Sequence, residues 1–340
     1  MPLVSIIVPA FNAQATLDET LQSARNQTLR DVEIIVVADG CTDGTVRLAK
    51  QHRQSDPRIR IIEQPNGGVA SARNTGIAAA SGEFIAPLDA DDLWHPRKLE
   101  RQIGRFEASD PKLGLVYCWY RPIDAASQVC GRVAAPLIEG AVLHRHLQWN
   151  FVGNGSAPLI RREALAGLRY DPTLRAANAG GCEDYLLQLQ IALDWEFACV
   201  PEYLVGYRQT SGAMSSDRGA MLRSHALAFR KIRPVLPLSA RKVCDRRIAQ
   251  FEVLAASNGL RNGRIGPAAG ALGRALRTDF GGAANAVAEQ AATIYRSRTG
   301  REAVSPTLDE AFASLDPALP PTSWEPSAEM RRLAELDGAD

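Results

Sequence analysis

A chain of 340 residues is long enough for one large domain or two, and its 46% hydrophobic and 23% charged residues are ordinary for a soluble protein. A net charge of +1 gives the chain a field that favours neither nucleic acid nor an anionic membrane. Cys41, Cys118, Cys130, Cys182, Cys199 and Cys244 lie far apart with no C-x-x-C pair, so reduced thiols are expected, without a disulfide framework or structural zinc.

Leu3 to Val8 is a continuous β-branched apolar run closed by Pro9, the pattern of a buried parallel strand. Thr16 to Asn26 carries Leu17, Leu21 and Ala24 at helical spacing, with Thr16 as the cap. Val32 to Val37 predicts a second strand leaving through Asp39-Gly40, and Thr42 to His52 a helix. Ile59 to Ile62 predicts a strand, Gly67 to Ala80 a helix of small residues, and Phe84 to Leu88 a fourth strand. Trp94 to Ala108 reads as a helix and Leu115 to Tyr120 as a strand. Such alternation predicts an α/β fold with a parallel sheet covered on both faces. Ligands of these sheets bind outside the carboxyl ends of the strands. Asn12, Asp39, Asn66, Asp89 and Asp91 all follow predicted strands and are expected on one rim.

No apolar run reaches the roughly 18 residues needed to cross a bilayer. The start, Met1 to Val8, lacks the charged region of a signal peptide. The expected location is cytoplasmic, with contact at the inner face of the membrane left open.

From 121 to 217 the pattern is mixed. Asn150 to Gly155 is loop-like, Ala157 to Ile160 strand-like, and Glu183 to Leu193 helical. Phe197 to Val200 and Tyr203 to Tyr207 are two short strands. His144 and His146 have no ligand-type neighbours and carry no zinc expectation. Beyond Arg218, alanine, arginine and leucine at helical spacing predict a helical appendage to about residue 300. Its Arg223, Arg230, Lys231, Arg233, Arg241, Lys242, Arg246 and Arg247 form either a solvated surface or a basic face for a membrane or an anionic acceptor. Residues 301–340 are acidic and proline-bearing (Pro306, Pro317, Pro320, Pro321, Pro326), which predicts loose packing.

Three carboxylates, Asp89, Asp91 and Asp92, crowd the end of the fourth strand. They repel one another unless cations or donors compensate. A hard divalent ion prefers such oxygens, and Mg²⁺ takes one or two carboxylates and fills its shell with water and phosphate. A helix cap at Asp91 or Asp92, with Pro96 in the first turn, accounts for the same residues.

Four ordered stretches then converge. They are Val4-Ser5-Ile6-Ile7-Val8-Pro9-Ala10-Phe11-Asn12, Val37-Ala38-Asp39-Gly40-Cys41-Thr42-Asp43-Gly44, Asn66-Gly67-Gly68-Val69-Ala70-Ser71-Ala72-Arg73-Asn74 and Leu88-Asp89-Ala90-Asp91-Asp92. Over residues 3 to 215 the chain resembles the family 2 glycosyltransferases, inverting enzymes of GT-A fold that move a sugar from a nucleoside diphosphate to an acceptor hydroxyl. The resemblance implies a Rossmann-related, mostly parallel sheet in residues 1–217 (nucleotide half 1–120, acceptor half 121–217). It places Pro9, Ala10, Phe11 and Asn12 beside the nucleoside, with Asp39 on the base, typically the N3–H of uracil. Relatives carry two acids before Gly40, and here the first is Ala38. Arg73 would approach the base or the diphosphate. Asp89, Ala90 and Asp91 would form the D-x-D turn holding Mn²⁺ or Mg²⁺, with Asp92 beside it. Cys182-Glu183-Asp184-Tyr185 resembles the acidic pair that opens a helix, making Asp184 the base and Glu183 its support. Tyr207 to Ser215 resembles a loop near the diphosphate, with Arg208 as its contact. The partners implied are a nucleotide-sugar donor, a UDP-sugar foremost, and a glycan or lipid-linked acceptor in bacterial surface polysaccharide synthesis. No nucleic acid is implied.

A dehydrogenase would need a glycine-rich turn after the first strand, and a P-loop enzyme G-x-x-x-x-G-K-[ST]; neither is present. A sugar nucleotidyltransferase and a degenerate nucleotide-sugar binding module remain the alternatives. The first lacks its basic glycine loop and the second would have lost its acids.

Overall fold

The computed structural model describes residues 1–109, 111–177, 179–209, 217–298, 311–318 and 324–339. Two central strands, β1 (Val4–Ala10) and β2 (Val32–Asp39), are buried along their whole length. Unbroken aliphatic runs are stable there because helices cover both faces, and each fully buried Ile or Val contributes about 1.5–3 kcal/mol. β1 runs parallel to β2, with Ile6 opposite Ile34 and Ala10 opposite Ala38. Parallel neighbours are β3 (Ile59–Gln64), beside β2, and β4 (Phe84–Pro87), beside β1. The crossovers are α1 (Leu17–Arg25), α2 (Thr45–Ser55) and α3 (Val69–Ala79).

The second half makes the sheet mixed. After β5 (Leu93–Trp94) and α4 (Lys98–Glu107) come β6 (Leu113–Ile123) and α5 (Leu143–Gln148). They are followed by β7 (Leu159–Arg161), α6 (Thr173–Ala176), α7 (Glu183–Ile191) and β8 (Glu196–Arg208). The order is β3-β2-β1-β4-β7-β6-β8-β5, with β7 antiparallel to both β4 and β6, and β5 antiparallel to β8. Because β7 is flanked antiparallel on both sides, β4, β6 and β8 still point the same way, and their carboxyl ends share the rim with β1 and β2.

Two expectations are corrected here. Phe197–Val200 and Tyr203–Tyr207 are one strand, β8, and its ladder with β6 slips between Cys118 and Tyr120. Pro201 sits at the slip and has no N–H to donate, which is why the run reads as two. The helix expected from Trp94 begins at Lys98, because Leu93 and Trp94 pair with Gly206 and Val205. Trp94 itself is buried, as core packing required, and donates through Nε1 to the Ser156 carbonyl at 3.0 Å.

The C-terminal region is helical: α8 (Arg218–Ile232), α9 (Leu238–Arg261), α10 (Ile265–Thr278) and α11 (Phe280–Arg298). Several of its basic positions are engaged within the chain, while Arg223 and Lys242 are exposed. Arg230 pairs with Glu252 at 2.7 Å, Lys231 with Asp171 at 2.8 Å, Arg233 with Asp245 at 2.5 Å and Arg246 with Glu329 at 3.4 Å. Arg247 lies over the Phe251 ring. The described part of the tail is packed rather than loose. Phe312 and Leu315 are buried, and α12 (Ala328–Asp337) lies against α5. There the buried Asp337 accepts from the His144 N–H at 2.6 Å and Arg145 Nε at 2.6 Å. Pro306, Pro320, Pro321 and the stretch from Thr210 to Ser215 lie outside the described residues. Among the described residues no helix is long and apolar enough to cross a membrane.

Candidate active site

The rim is built on the exits of β1, β2 and β4. Pro9 and Ala10 are still inside β1, opposite Val37 and Ala38, with buried side chains, so they form floor rather than contact surface. The turn proper is Phe11-Asn12. Phe11 is 54% exposed, and Asn12, at positive φ, accepts from the Thr42 N–H at 2.8 Å. Gly40 must be glycine: its φ is +73°, and a Cβ would lie 2.7 Å from Asn66. Asp39 is buried, and its oxygens receive Gln64 Nε2 at 2.7 Å and the N–H groups of Gly67 and Gly68 at 2.8 and 2.7 Å. It therefore shapes the loop before α3, and one oxygen holds a single donor.

Two residues beyond β4, the D-x-D turn is fastened to α1 by donors that sequence reading missed. Thr16 Oγ1 donates to the Ala90 carbonyl at 2.8 Å, so it ties the turn instead of capping α1. Thr20 Oγ1 donates to the Asp92 carbonyl at 2.9 Å. Ser156 Oγ receives the Asp89 N–H at 3.0 Å and donates to Asp92 Oδ2 at 2.6 Å. These partners lie 64 to 74 positions away from the turn in sequence, and no local pattern marks them.

The three carboxylates have separate fates. Asp92 is completely buried, its oxygens taken by Ser156 and the Arg208 N–H at 2.9 Å. Burial, then the charges of Asp91 and Asp89, hold its carboxyl well above the usual range. It is an anchor of the turn and not an open ligand, which corrects its place in the metal set. Asp89 is half-buried and accepts from Arg73 Nη2 at 2.5 Å. Asp91 is half-buried and no other described residue donates to its carboxylate. Burial and then the Asp89 charge push it up to about 6. A crowded carboxylate pair with one member unpaired fits a divalent cation that brings its own water and phosphate ligands. No three His, Cys, Asp or Glu side chains gather as a full protein cage among the described residues.

Arg73 is almost completely buried. It lies between Asp89 and Glu183, whose Oε1 is 3.6 Å from Nη1. Burial alone would weaken its proton affinity, but the Asp89 charge reverses this, with Tyr170, Glu183 and Asp184 adding to it. Gly155 allows this approach, since a Cβ there would lie 2.8 Å from Arg73 Nη2 and 3.0 Å from Asp89 Oδ2. Glu183 is buried and also accepts from the Gly181 N–H at 2.8 Å. Asp184 is half-buried at the first turn of α7. Burial pushes it up to about 6, opposed by Arg73 and reinforced by Glu183.

Arg208 is also corrected. It is 2% exposed, and all five of its N–H donors are used internally: Nε to Asp91 O, Nη1 to Asp124 O and Ala125 O, Nη2 to Glu19 Oε2 and Ser127 Oγ. It locks the D-x-D turn to the strand ends and has no donor left for a diphosphate.

A sheet with this order, a D-x-D turn at the end of β4 and an acid pair opening α7 define a GT-A-type architecture. Solved structures agree on the fold. S. aureus TarS 1–349, in complex with UDP-GlcNAc, superposes with TM-score 0.62 at 18% identity, covering 82% of this chain and 81% of that one. The mannosyltransferase PcManGT of Pyrobaculum calidifontis, in complex with GDP-Man and Mn²⁺, gives 0.57 at 22% identity over 88% and 82%. Residues 5–166 match the model of glycosyl transferase family 2. It is similar to the uncharacterized glycosyltransferase EpsJ of Bacillus subtilis (strain 168), 43% identical over 52% of this chain and 54% of EpsJ. It is also similar to chondroitin synthase of Escherichia coli, 40% identical over 36% of this chain and 18% of that one. The chain thus spans about half of EpsJ and a smaller part of the synthase.

Proposed function

We propose that this chain is an inverting hexosyltransferase that moves a sugar from a nucleoside diphosphate sugar, a UDP-sugar foremost, to an acceptor hydroxyl. The acceptor is a glycan or a lipid-linked glycan in bacterial polysaccharide synthesis, and the reaction belongs to the cytoplasm or the inner face of the membrane. The observation that carries the reading is the buried Arg73, which touches Asp89 with one nitrogen and Glu183 with the other. One rigid side chain thereby sets the distance between the D-x-D turn and the acid pair.

Asp184 is the base. An apparent pKa of about 6 leaves it ionised at neutral pH yet basic enough to take the acceptor proton as the bond forms. Glu183 orients Arg73, and Arg73 keeps Asp184 ionised. Asp89 and Asp91 would hold Mn²⁺ or Mg²⁺, which when bound supplies charge neutralisation for the departing diphosphate. Asp39 retains acceptor capacity for a base N–H beside Phe11. PcManGT carries Mn²⁺ in its complex, which supports the cation reading.

Thermal shift with a panel of nucleotide sugars plus Mn²⁺ tests the donor. The matching donor at about 100 times its Kd adds roughly 2.7 kcal/mol of stability. Asp184→Asn should keep that shift and lose transfer. Full transfer by this variant would remove the base assignment, and turnover unaffected by EDTA would remove the cation.

A further inference from the structure

Eleven large apolar side chains are exposed among the described residues, and six of them fall between positions 260 and 287: Leu260, Ile265, Leu272, Leu276, Phe280 and Val287. Ile265, Leu272 and Leu276 follow one another by seven and four positions, which sets them in a single stripe along α10. They lie beside the face that α10 packs inward through Ala268, Ala271 and Ala275. Phe280, 71% exposed, continues the apolar surface at the start of α11.

The charges around the stripe are mostly of one sign. Arg261, Arg264 and Arg277 are exposed and form no ion pair among the described residues, and Arg277 lies back along α10 against Gly273. Arg274 is different, since Glu252 binds it at 2.8 Å. Asp217 lies near Arg264 without pairing to it. On α10 and α11 the described acids are Asp279 and Glu289, and Asp279 is engaged by the Gly282 N–H at 3.0 Å. An apolar stripe rimmed by free arginines matches a surface with an oily interior and anionic headgroups. It does not match a second copy of the chain: a two-fold contact would set these arginines against themselves.

We propose that α10 and the start of α11 form a docking surface for an anionic lipid bilayer, with Ile265, Leu272, Leu276 and Phe280 entering the headgroup boundary. This differs from the basic face expected on α8 and α9, where Arg230, Lys231, Arg233 and Arg246 are held in ion pairs. The surface would hold the enzyme at a membrane without crossing it.

The test is co-sedimentation of the full chain with vesicles of phosphatidylglycerol and phosphatidylethanolamine, and with phosphatidylcholine alone. Binding is expected to the anionic vesicles and to weaken with salt. Leu272→Ser/Leu276→Ser should lower the partition at least about tenfold, and Arg261→Glu/Arg264→Glu/Arg277→Glu should abolish the preference for anionic lipid. All these side chains are exposed, so an unchanged melting temperature identifies variants that fold. Leu272→Trp, which adds apolar area at the boundary, should raise the partition. Wild-type partition that is undetectable, or equal in the leucine double variant, overturns the proposal. So does sedimentation velocity showing a dimer that the double variant dissolves. Vesicle binding is read without donor or acceptor, so its failure leaves the transfer reading standing.

Discussion

In the C-terminal helices the buried Glu252 lies between Arg230 and Arg274, at 2.7 and 2.8 Å, and Asp245 meets Arg233 at 2.5 Å. At the sheet rim Asp89, Glu183 and Asp184 crowd around the buried Arg73, with Asp91 and Asp92 beside Asp89, while Arg208 is used up by carbonyls, Glu19 and Ser127. Both regions bury carboxylates. One balances them inside the chain, and the other leaves a surplus of negative charge. Balanced charge is what a fold needs for stability. A surplus costs stability, and in the proposed reading a cation and a diphosphate would compensate it.

Opposite responses to neutralisation would establish that contrast, and like responses would break it. The largest effect is expected in catalysis: Asp91→Asn should lower transfer about 10³-fold, roughly 4 kcal/mol, measured at saturating donor and Mn²⁺. Next comes Glu252→Gln, which leaves two guanidinium groups short of a partner. Because Arg274 is half exposed, the expected loss is about 2 kcal/mol in urea unfolding, with transfer unchanged.

Smaller and opposite in sign is the effect of Asp91→Asn on the metal-free protein. Its carboxyl rises from 3.8 to about 6 in the fold, so the folded state holds a proton that the unfolded state gives up more easily. Stability from this group is fully present below pH 3.8 and falls as pH rises through 6. At pH 7 the variant should therefore be about 1–2 kcal/mol more stable than wild type, and its stability should vary less between pH 4 and 6. A loss of stability at pH 7 would place Asp91 among the balanced charges. Last, transfer should decline about tenfold per pH unit below 6 as Asp184 takes up its proton, and a profile flat to pH 5 would exclude it as base.

Much of the rim is legible in the sequence. Strands β1 to β4 and the places of Asn12, Asp39, Asp89 and Asp91 follow from apolar runs ending in polar turns, because parallel strands must be buried and their exits must be polar. The acid pair on α7 is legible through its likeness to a known motif. The roles of Arg73, Arg208 and Asp92 are not. Each carries a charge that reads locally as reaching outward, and each is turned inward by a partner that the chain supplies from far away: Glu183 for Arg73, Glu19 for Arg208, Ser156 for Asp92. The free stripe on α10 is hidden for a related reason, since a helix with alanines and leucines on adjoining faces does not declare which face is packed.

The sequence by itself determined the alternation of strands and helices, the rim where the polar strand exits gather and the likeness to glycosyl transferase family 2. These rest on periodicity and on short contiguous motifs. Tertiary structure alone decided which charges are spent and which are available, because that depends on donors and acceptors brought together across some sixty to almost two hundred residues of chain. It is this accounting that leaves Asp91 open, Asp92 closed and Arg73 held between the two halves of the proposed chemistry.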